Sequence, residues 1–187
     1  MTHKAELRLE AQRVRSALNL SGDEGDNAAT RFMEKFTPVA GTIVALYWPV
    51  KRELDTLPLI EQLHQAGVRI ALPVVAGNSR VLAFREWTPD TTMTTGLFGI
   101  PIPPETAPML MPDMVVMPLL AFDRKGYRLG HGSGYYDATA AAMRAHRDVT
   151  LVGYAYAEQM CLFALPREEH DMPMDYVVTP QGIHSFA

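Results

Sequence analysis

Between Ala121 and Asp137 the chain reads Ala-Phe-Asp-Arg-Lys-Gly-Tyr-Arg-Leu-Gly-His-Gly-Ser-Gly-Tyr-Tyr-Asp, with Gly130, Gly132 and Gly134 at alternate positions. An apolar run, Met114 to Ala121, precedes these glycines, and a helix-forming run, Ala138 to Met143, follows them. A glycine loop held between strand and helix constrains the fold more than any other feature here. It lets backbone N–H groups converge on an anion with no Cβ in the way. The N-terminus of the following helix adds the positive end of its dipole at the same spot. Arg128 stands at the loop's entrance, and Tyr135, Tyr136 and Asp137 stand at its exit. These residue types suit a phosphate site with an aromatic shelf and a magnesium ligand. Alternating glycines also occur in plain tight turns. Their spacing matches neither the Gly-x-Gly-x-x-Gly of dinucleotide folds nor a P-loop ending in Gly-Lys-Ser/Thr. The flanking cation, tyrosines and aspartate favour a functional loop.

The rest of the chain alternates strand and helix signals. In residues 4–19, Leu7, Ala11, Val14 and Leu18 recur at helical spacing, with Lys4, Arg8, Arg13 and Arg15 off that stripe. A polar loop over Ser21 to Asn27 should break this helix, and a second is expected from about Asn27 to Phe36. Thr42 to Tyr47 is apolar without alternation, as in parallel strands covered on both faces. Leu57 to Ala66 predicts a helix stopped at Gly67. Val68 to Val75 predicts a strand that Pro73 pushes to an edge or an end, and Val81 to Trp87 a half-exposed one. Prolines 101, 103, 104, 108 and 112 make residues 101–112 an extended surface connection. A strand over 113–120, the loop, a helix over 137–146 and a strand over 149–155 complete the order. The expectation is one α/β domain over residues 1–187, with a largely parallel sheet between helical layers. Ligands should then bind at the carboxyl ends of the strands.

A chain of 187 residues, 48% hydrophobic and 20% charged, suits a soluble protein with a substantial core. Its formal net charge of −4 lacks the basic footprint of a nucleic-acid binder. The single cysteine, Cys161, allows no internal disulfide and suits a reducing compartment. The start of the chain is charged, and no apolar run approaches the ~20 residues of a membrane helix. The expected protein is a cytoplasmic monomer with no nucleic-acid or membrane partner. Its eleven methionines read as core filler. No Ser/His/Asp or Cys/His arrangement suggests nucleophilic catalysis.

Taken alone, several candidate residues keep a plain structural reading. Lys4 and Arg8, one helical turn apart, suit a solvated basic face or one pocket; Arg13 and Arg15 are read as solvated. Asp55 or Thr56 suits a helix cap, leaving Glu53 freer for a ligand. Asp137 suits the first turn of a helix, Asp171 a turn cap, and Asp123 a structural turn.

Ala121-Phe-Asp123, Gly126 and Arg128-Leu-Gly-x-Gly-x-Gly-Tyr-Tyr-Asp137 together resemble the signature of the 5-formyltetrahydrofolate cyclo-ligases, or 5,10-methenyltetrahydrofolate synthetases. Lys4 with Arg8, Glu53-x-Asp-Thr56, Leu97-Phe-Gly-Ile100, His170-Asp171 and Val177-Val-Thr179 extend the resemblance over nearly the whole chain. It implies a three-layered sheet related to those of sugar isomerases and CoA transferases. It also implies ATP-dependent closure of 5-formyltetrahydrofolate to the 5,10-methenyl compound, with release of ADP and phosphate. On this resemblance Lys4, Arg8, Arg128, Gly130, His131, Gly132, Ser133, Gly134, Tyr135 and Tyr136 hold ATP. Arg8, Trp48, Glu53, His131 and Tyr135 hold the folate, Asp137 and Asp171 hold Mg²⁺, and Arg128 and Tyr135 are the catalytic pair. A carboxylate at Glu53 suits the paired N–H donors of a pterin edge, and Tyr136 anchors the loop by packing.

His131 and Ser133 stand where relatives often have small residues. Pro101-Ile-Pro-Pro-Glu105 replaces the family's Glu-Pro pair, so no acidic role is carried into that segment. Two rivals remain: a non-catalytic folate- or nucleotide-binding protein on the same fold, and a sugar-phosphate isomerase, which the Tyr-Tyr-Asp exit does not fit.

Overall fold

The apolar runs form the middle of a seven-stranded sheet in the computed structural model, which describes residues 3–186. In chain order the first half holds α1 (His3–Ala17), α2 (Glu24–Phe36), β1 (Ile43–Ala45), α3 (Leu57–Gln65), β2 (Arg69–Val75), β3 (Leu82–Trp87), β4 (Thr94–Thr95) and β5 (Pro101–Ile102). The second half holds β6 (Met114–Met117), β7 (Ala121–Phe122), β8 (Arg128–Leu129), α4 (Tyr135–Arg144), β9 (Thr150–Tyr154), β10 (Tyr176–Val178) and β11 (Ile183–Ser185). The sheet order is β11-β10-β9-β6-β1-β2-β3. The five inner strands are parallel, and β3 and β11 pair antiparallel at the edges. None of the described helices is long and apolar enough to cross a membrane.

Side chains alternate across a strand, so a sheet covered on both faces needs apolar residues at every position. Val44, Ile70, Val116 and Val152 join the core beneath α2 and α3, while Ala45, Ala71, Val115 and Leu151 face α4. The result is three layers, helices on each side of a mostly parallel sheet, as the alternating order predicts.

Several local expectations change. Helix α1 does not turn its apolar stripe wholly inward: Val14 is 39% exposed, and Arg15 is the buried residue of the helix. Lys4, Arg8, Ala11 and Arg15 share one face by their spacing, and the two arginines and the lysine point inward with Ala11. Arg15 is therefore not solvated. The loop expected over Ser21 to Asn27 is cut short, because α2 already begins at Glu24, whose carboxylate accepts the Ser21 and Gly22 N–H groups.

Strand β2 is interior in the sheet order, and Pro73 lies towards its carboxyl end, the second of the two places expected for it. Beyond Ala71 the strand pairs only with β3, so Pro73, opposite Phe84, lies where the β1 side needs no donor. The proline segment is less free than expected: Glu86 N–H donates to Pro108 O and Leu110 N–H to Phe84 O, which ties it along β3. Helix α4 starts at Tyr135, so both loop-exit tyrosines belong to its first turn.

Gly25 marks how closely α2 approaches the segment before α3. A Cβ there would lie 3.0 Å from Asp55 O and 3.2 Å from Asp55 Cβ. Alanine suits a helix better than glycine by up to ~1 kcal/mol, but overpacking against backbone costs ~1–3 kcal/mol. Gly25→Ala is therefore expected to lower the melting temperature by roughly 3 °C. A thermal melt checks this, and a raised melting temperature would mean that α2 moves away without cost.

Candidate active site

Strand β1 is followed by β2 on one side, whereas β6, β9 and β10 lie on the other. The chain thus turns opposite ways after β1 and β6, and the carboxyl ends of two such strands are where open α/β sheets bind ligands. Glu53 comes from the loop after β1 and the glycines come from the loop after β6. They meet: His131 Nε2 lies 3.5 Å from Glu53 Oε1. Glu53 is not the free group expected before a cap, since its side chain is only 7% exposed and its Oε2 accepts the Val50 N–H at 3.0 Å. The side-chain capping falls to Asp55, which accepts the Leu57 N–H, while the hydroxyl of Thr56, the N-cap residue, donates instead to Tyr47 O.

A small hairpin, β7–β8, stands before the glycine loop and was not expected. Asp123 builds its turn by accepting the Lys125 and Tyr127 N–H groups on one oxygen and the Leu165 N–H on the other. This is the structural role its composition suggested. Ala121 and Leu129 of the hairpin pack with Leu165 against Leu7 and Ala11 of α1. That packing brings the charged face of α1 to the loop. Arg8 Nε donates to Gly130 O at 3.0 Å, and a Cβ on Gly132 would lie 3.3 Å from Arg8 Cζ. Gly132 at φ 108° and Gly134 at φ 73° adopt conformations that strain a side chain-bearing residue. Gly134 caps α4, so the loop's last turn presents the helix N-terminus.

Arg128 lies beneath the loop with its side chain 4% exposed, Nη2 at 3.2 Å from Asp137 Oδ1 and its guanidinium over the Tyr136 ring. Its Nε has no hydrogen-bond partner among the described residues. Burial pulls the guanidinium pKa down, and the nearby Asp137 charge opposes that. The Tyr136 phenol is pushed well above its ordinary value by burial, with the Glu53 charge adding to it. Tyr135 and Tyr136 both pack against the core cluster on the α4 side of the sheet.

Lys4 Nζ lies 2.9 Å from Asp171 Oδ2 and 3.6 Å from Glu168 Oε1. Burial pushes the Asp171 carboxyl up, but the Glu168 N–H and the Lys4 ammonium outweigh it and hold it below the usual range. Met172 N–H donates to Asp137 Oδ1 at 3.0 Å, so the residue after Asp171 touches the other candidate metal ligand. The two aspartates are neighbours despite their separation in the chain.

The model of the 5-formyltetrahydrofolate cyclo-ligase family matches residues 1–180. The chain belongs to that family. It is 39% identical to a 5-formyltetrahydrofolate cyclo-ligase of Escherichia coli K12 over 167 residues, 85% of this chain and 89% of the relative. A cyclo-ligase of Mycolicibacterium smegmatis is 31% identical over 189 residues, 95% of this chain and 94% of the relative. Among solved structures, the 5,10-methenyltetrahydrofolate synthetase of Aquifex aeolicus superposes with a TM-score of 0.80 at 28% identity, covering 99% of this chain and 93% of that one.

Most of the residues named from the signature are joined by contacts around one loop: Lys4, Arg8, Glu53, Arg128, the loop from Gly130 to Gly134, Tyr136, Asp137 and Asp171. His131 and Ser133 are exposed on the loop. Trp48 has Trp87 as its described aromatic partner, at 6.4 Å between ring centroids, and packs against the core beneath α2 and α3. Glu168 joins the Lys4–Asp171 contact and was not singled out in the sequence; an acidic pair beside His170-Asp171 was the available signal. Arg15 was also misplaced. Its Nη1 is buried without a partner among the described residues, and Arg52 caps the end of α1 beside it by donating to Arg15 O and Leu18 O.

Proposed function

We propose that this chain converts 5-formyltetrahydrofolate into 5,10-methenyltetrahydrofolate with consumption of ATP, acting as a cytoplasmic monomer and a single domain on small-molecule substrates. The observation that carries the reading is the meeting of a buried carboxylate, Glu53, with a cation-flanked glycine loop at the sheet's switch point. The carboxylate matches the N–H edge of a pterin and the loop matches a phosphate chain, so one crevice accepts both substrates.

The formyl group is an amide, and the neighbouring amine cannot expel its oxygen unaided. In the proposed reaction that oxygen attacks the γ-phosphorus of ATP, and ADP leaves. The folate amine then bonds to the activated carbon, and the C–O bond breaks with release of phosphate. The protein's part is to align the two substrates and offset charge on the transferring group. Glu53 would orient the pterin. Arg8 and Lys4 from α1, and Arg128 from beneath, would neutralise phosphate oxygens, and the loop N–H groups would do the same at the helix end.

Mg²⁺ fits the residues present. Asp137 and Asp171 are hard oxygen donors linked through the Met172 N–H, which donates to Asp137, and Asp171 clusters with Glu168 and His170, whose ligand atoms lie within 4.8 Å of one another. Asp137 and Asp171 would hold the ion, which would supply charge neutralisation at the phosphates. Lys4 and Arg128, now paired with these carboxylates, would keep them from repelling one another before the ion arrives.

The test is incubation with 5-formyltetrahydrofolate and Mg·ATP while following the near-ultraviolet absorbance of the methenyl product and the release of ADP. One ADP per product is expected. Product formed equally fast without ATP would remove the activation step. Tight binding of both substrates with no turnover would favour a binding protein on the same fold.

A further inference from the structure

The loop between β2 and β3 carries an arginine to the glycine loop from a direction that the signature does not mark. A Cβ on Gly134 would lie 3.9 Å from Arg80 Nη1. Gly134 is the N-cap of α4, a helix of ten residues, so Arg80 stands at the positive end of a helix dipole. That is the wrong end for a cation unless an anion lies between them. The site's other cations are engaged: Arg8 on Gly130 O, Lys4 on Asp171 and Arg128 on Asp137. Arg80 makes neither hydrogen bond nor ion pair with a described residue.

A second observation points to the same missing partner. Arg128, with a side chain 4% exposed, keeps a buried Nε without an acceptor among the described residues. Its Nη1 lies 3.5 Å from the position a Cβ of Gly130 would take, so this buried cation also faces the loop. Unmet donors below the loop and beside the helix end call for an anion with several charges. Arg8 covers Gly132 and Arg80 stands beside Gly134, so an extended anion lying along the loop is bracketed at both ends.

We propose that Arg80 is a further binding residue for the phosphate chain of the nucleotide, closing the loop on the side away from Arg8. This rests on the ATP-dependent reading above and adds a contact to it. A bound phosphate chain would turn the unfavourable cation–dipole placement into a favourable three-body one, with the anion held by the helix end and the guanidinium together. The folate's own carboxylates are the competing anion. They do not require the helix N-terminus, and a substrate anchored at Glu53 leaves them as a separate charge at its other end.

Calorimetry on the full chain with inorganic tripolyphosphate, Mg·ATP and 5-formyltetrahydrofolate tests this in wild type, Arg80→Ala and Arg80→Lys. Arg80→Ala is expected to weaken tripolyphosphate and Mg·ATP by about tenfold, one lost charge-assisted contact, and Arg80→Lys to recover part of the loss. Folate affinity and melting temperature should not move. Unchanged tripolyphosphate affinity in Arg80→Ala overturns the proposal, as does a loss confined to the folate. Wild-type protein that binds neither phosphate probe overturns the ATP-dependent reading itself, which is a different result from a silent Arg80 variant.

Discussion

Glu53→Ala is expected to raise the KM for 5-formyltetrahydrofolate by at least about a hundredfold, with the KM for ATP changed by less than about threefold. The carboxylate is 7% exposed and already oriented by the Val50 N–H, so little ordering remains to be done when a pterin arrives. Two charge-assisted N–H···O bonds to such a group contribute roughly 3 kcal/mol or more together, which is about two powers of ten in affinity. Glu53→Gln keeps the shape and an acceptor but sets an NH₂ against the donor edge of the pterin, so it should lose nearly as much. Steady-state kinetics in both substrates separates the effects. Full folate affinity in Glu53→Gln would mean that the pterin lies elsewhere in the crevice.

Arg128→Ala is expected to fail twice, in activity and in stability. With Arg128 in the proposed role of neutralising phosphate oxygens, loss of its buried guanidinium should lower kcat/KM by about a thousandfold or more. The same change leaves Asp137, with a side chain only 16% exposed, without its counter-ion. Breaking one side of a buried pair costs about 3 kcal/mol. Asp137→Asn added to Arg128→Ala should then restore much of the stability by removing the stranded charge, yet restore none of the activity. Denaturant melts beside kinetics on the two variants check both parts. An unchanged melt in Arg128→Ala would show that Asp137 finds another partner, and unchanged ATP kinetics would return Arg128 to a purely structural role.

Part of this was legible because the physics is local. Thr42 to Tyr47 and Met114 to Leu120 lack alternation because parallel strands under two helical layers bury both faces, and β1 and β6 lie at the centre of the sheet. The glycines at 132 and 134 were readable because backbone shape demands them, and both take positive φ. Gly67 likewise ends the segment after α3 at φ 76°. Asp123 was assigned to a turn from composition, and its three backbone hydrogen bonds build one.

What escaped depends on partners distant in sequence. Two-residue strands such as β7 and β8 carry no period to detect, so their hairpin is visible only as pairing. In α1, Leu7, Ala11 and Leu18 of the apolar stripe pack inward as their spacing implies, and what escaped is the exposure of Val14 and the burial of Arg15. Here α1 faces a hairpin and a loop, and its cations turn inward to Gly130 and Asp171. Pro73 rightly signals a missing donor, but which edge of β2 lacks a neighbour depends on where β1 stops. The sequence by itself determined the residue types of the site and the α/β order, since loop chemistry and burial on two faces are written in short segments. Only the tertiary structure decided that Glu53 meets the glycine loop, that Asp137 and Asp171 are neighbours and that Arg80 reaches the end of α4. Those are distances between strand ends and loops, set by sheet order, and no local pattern encodes them.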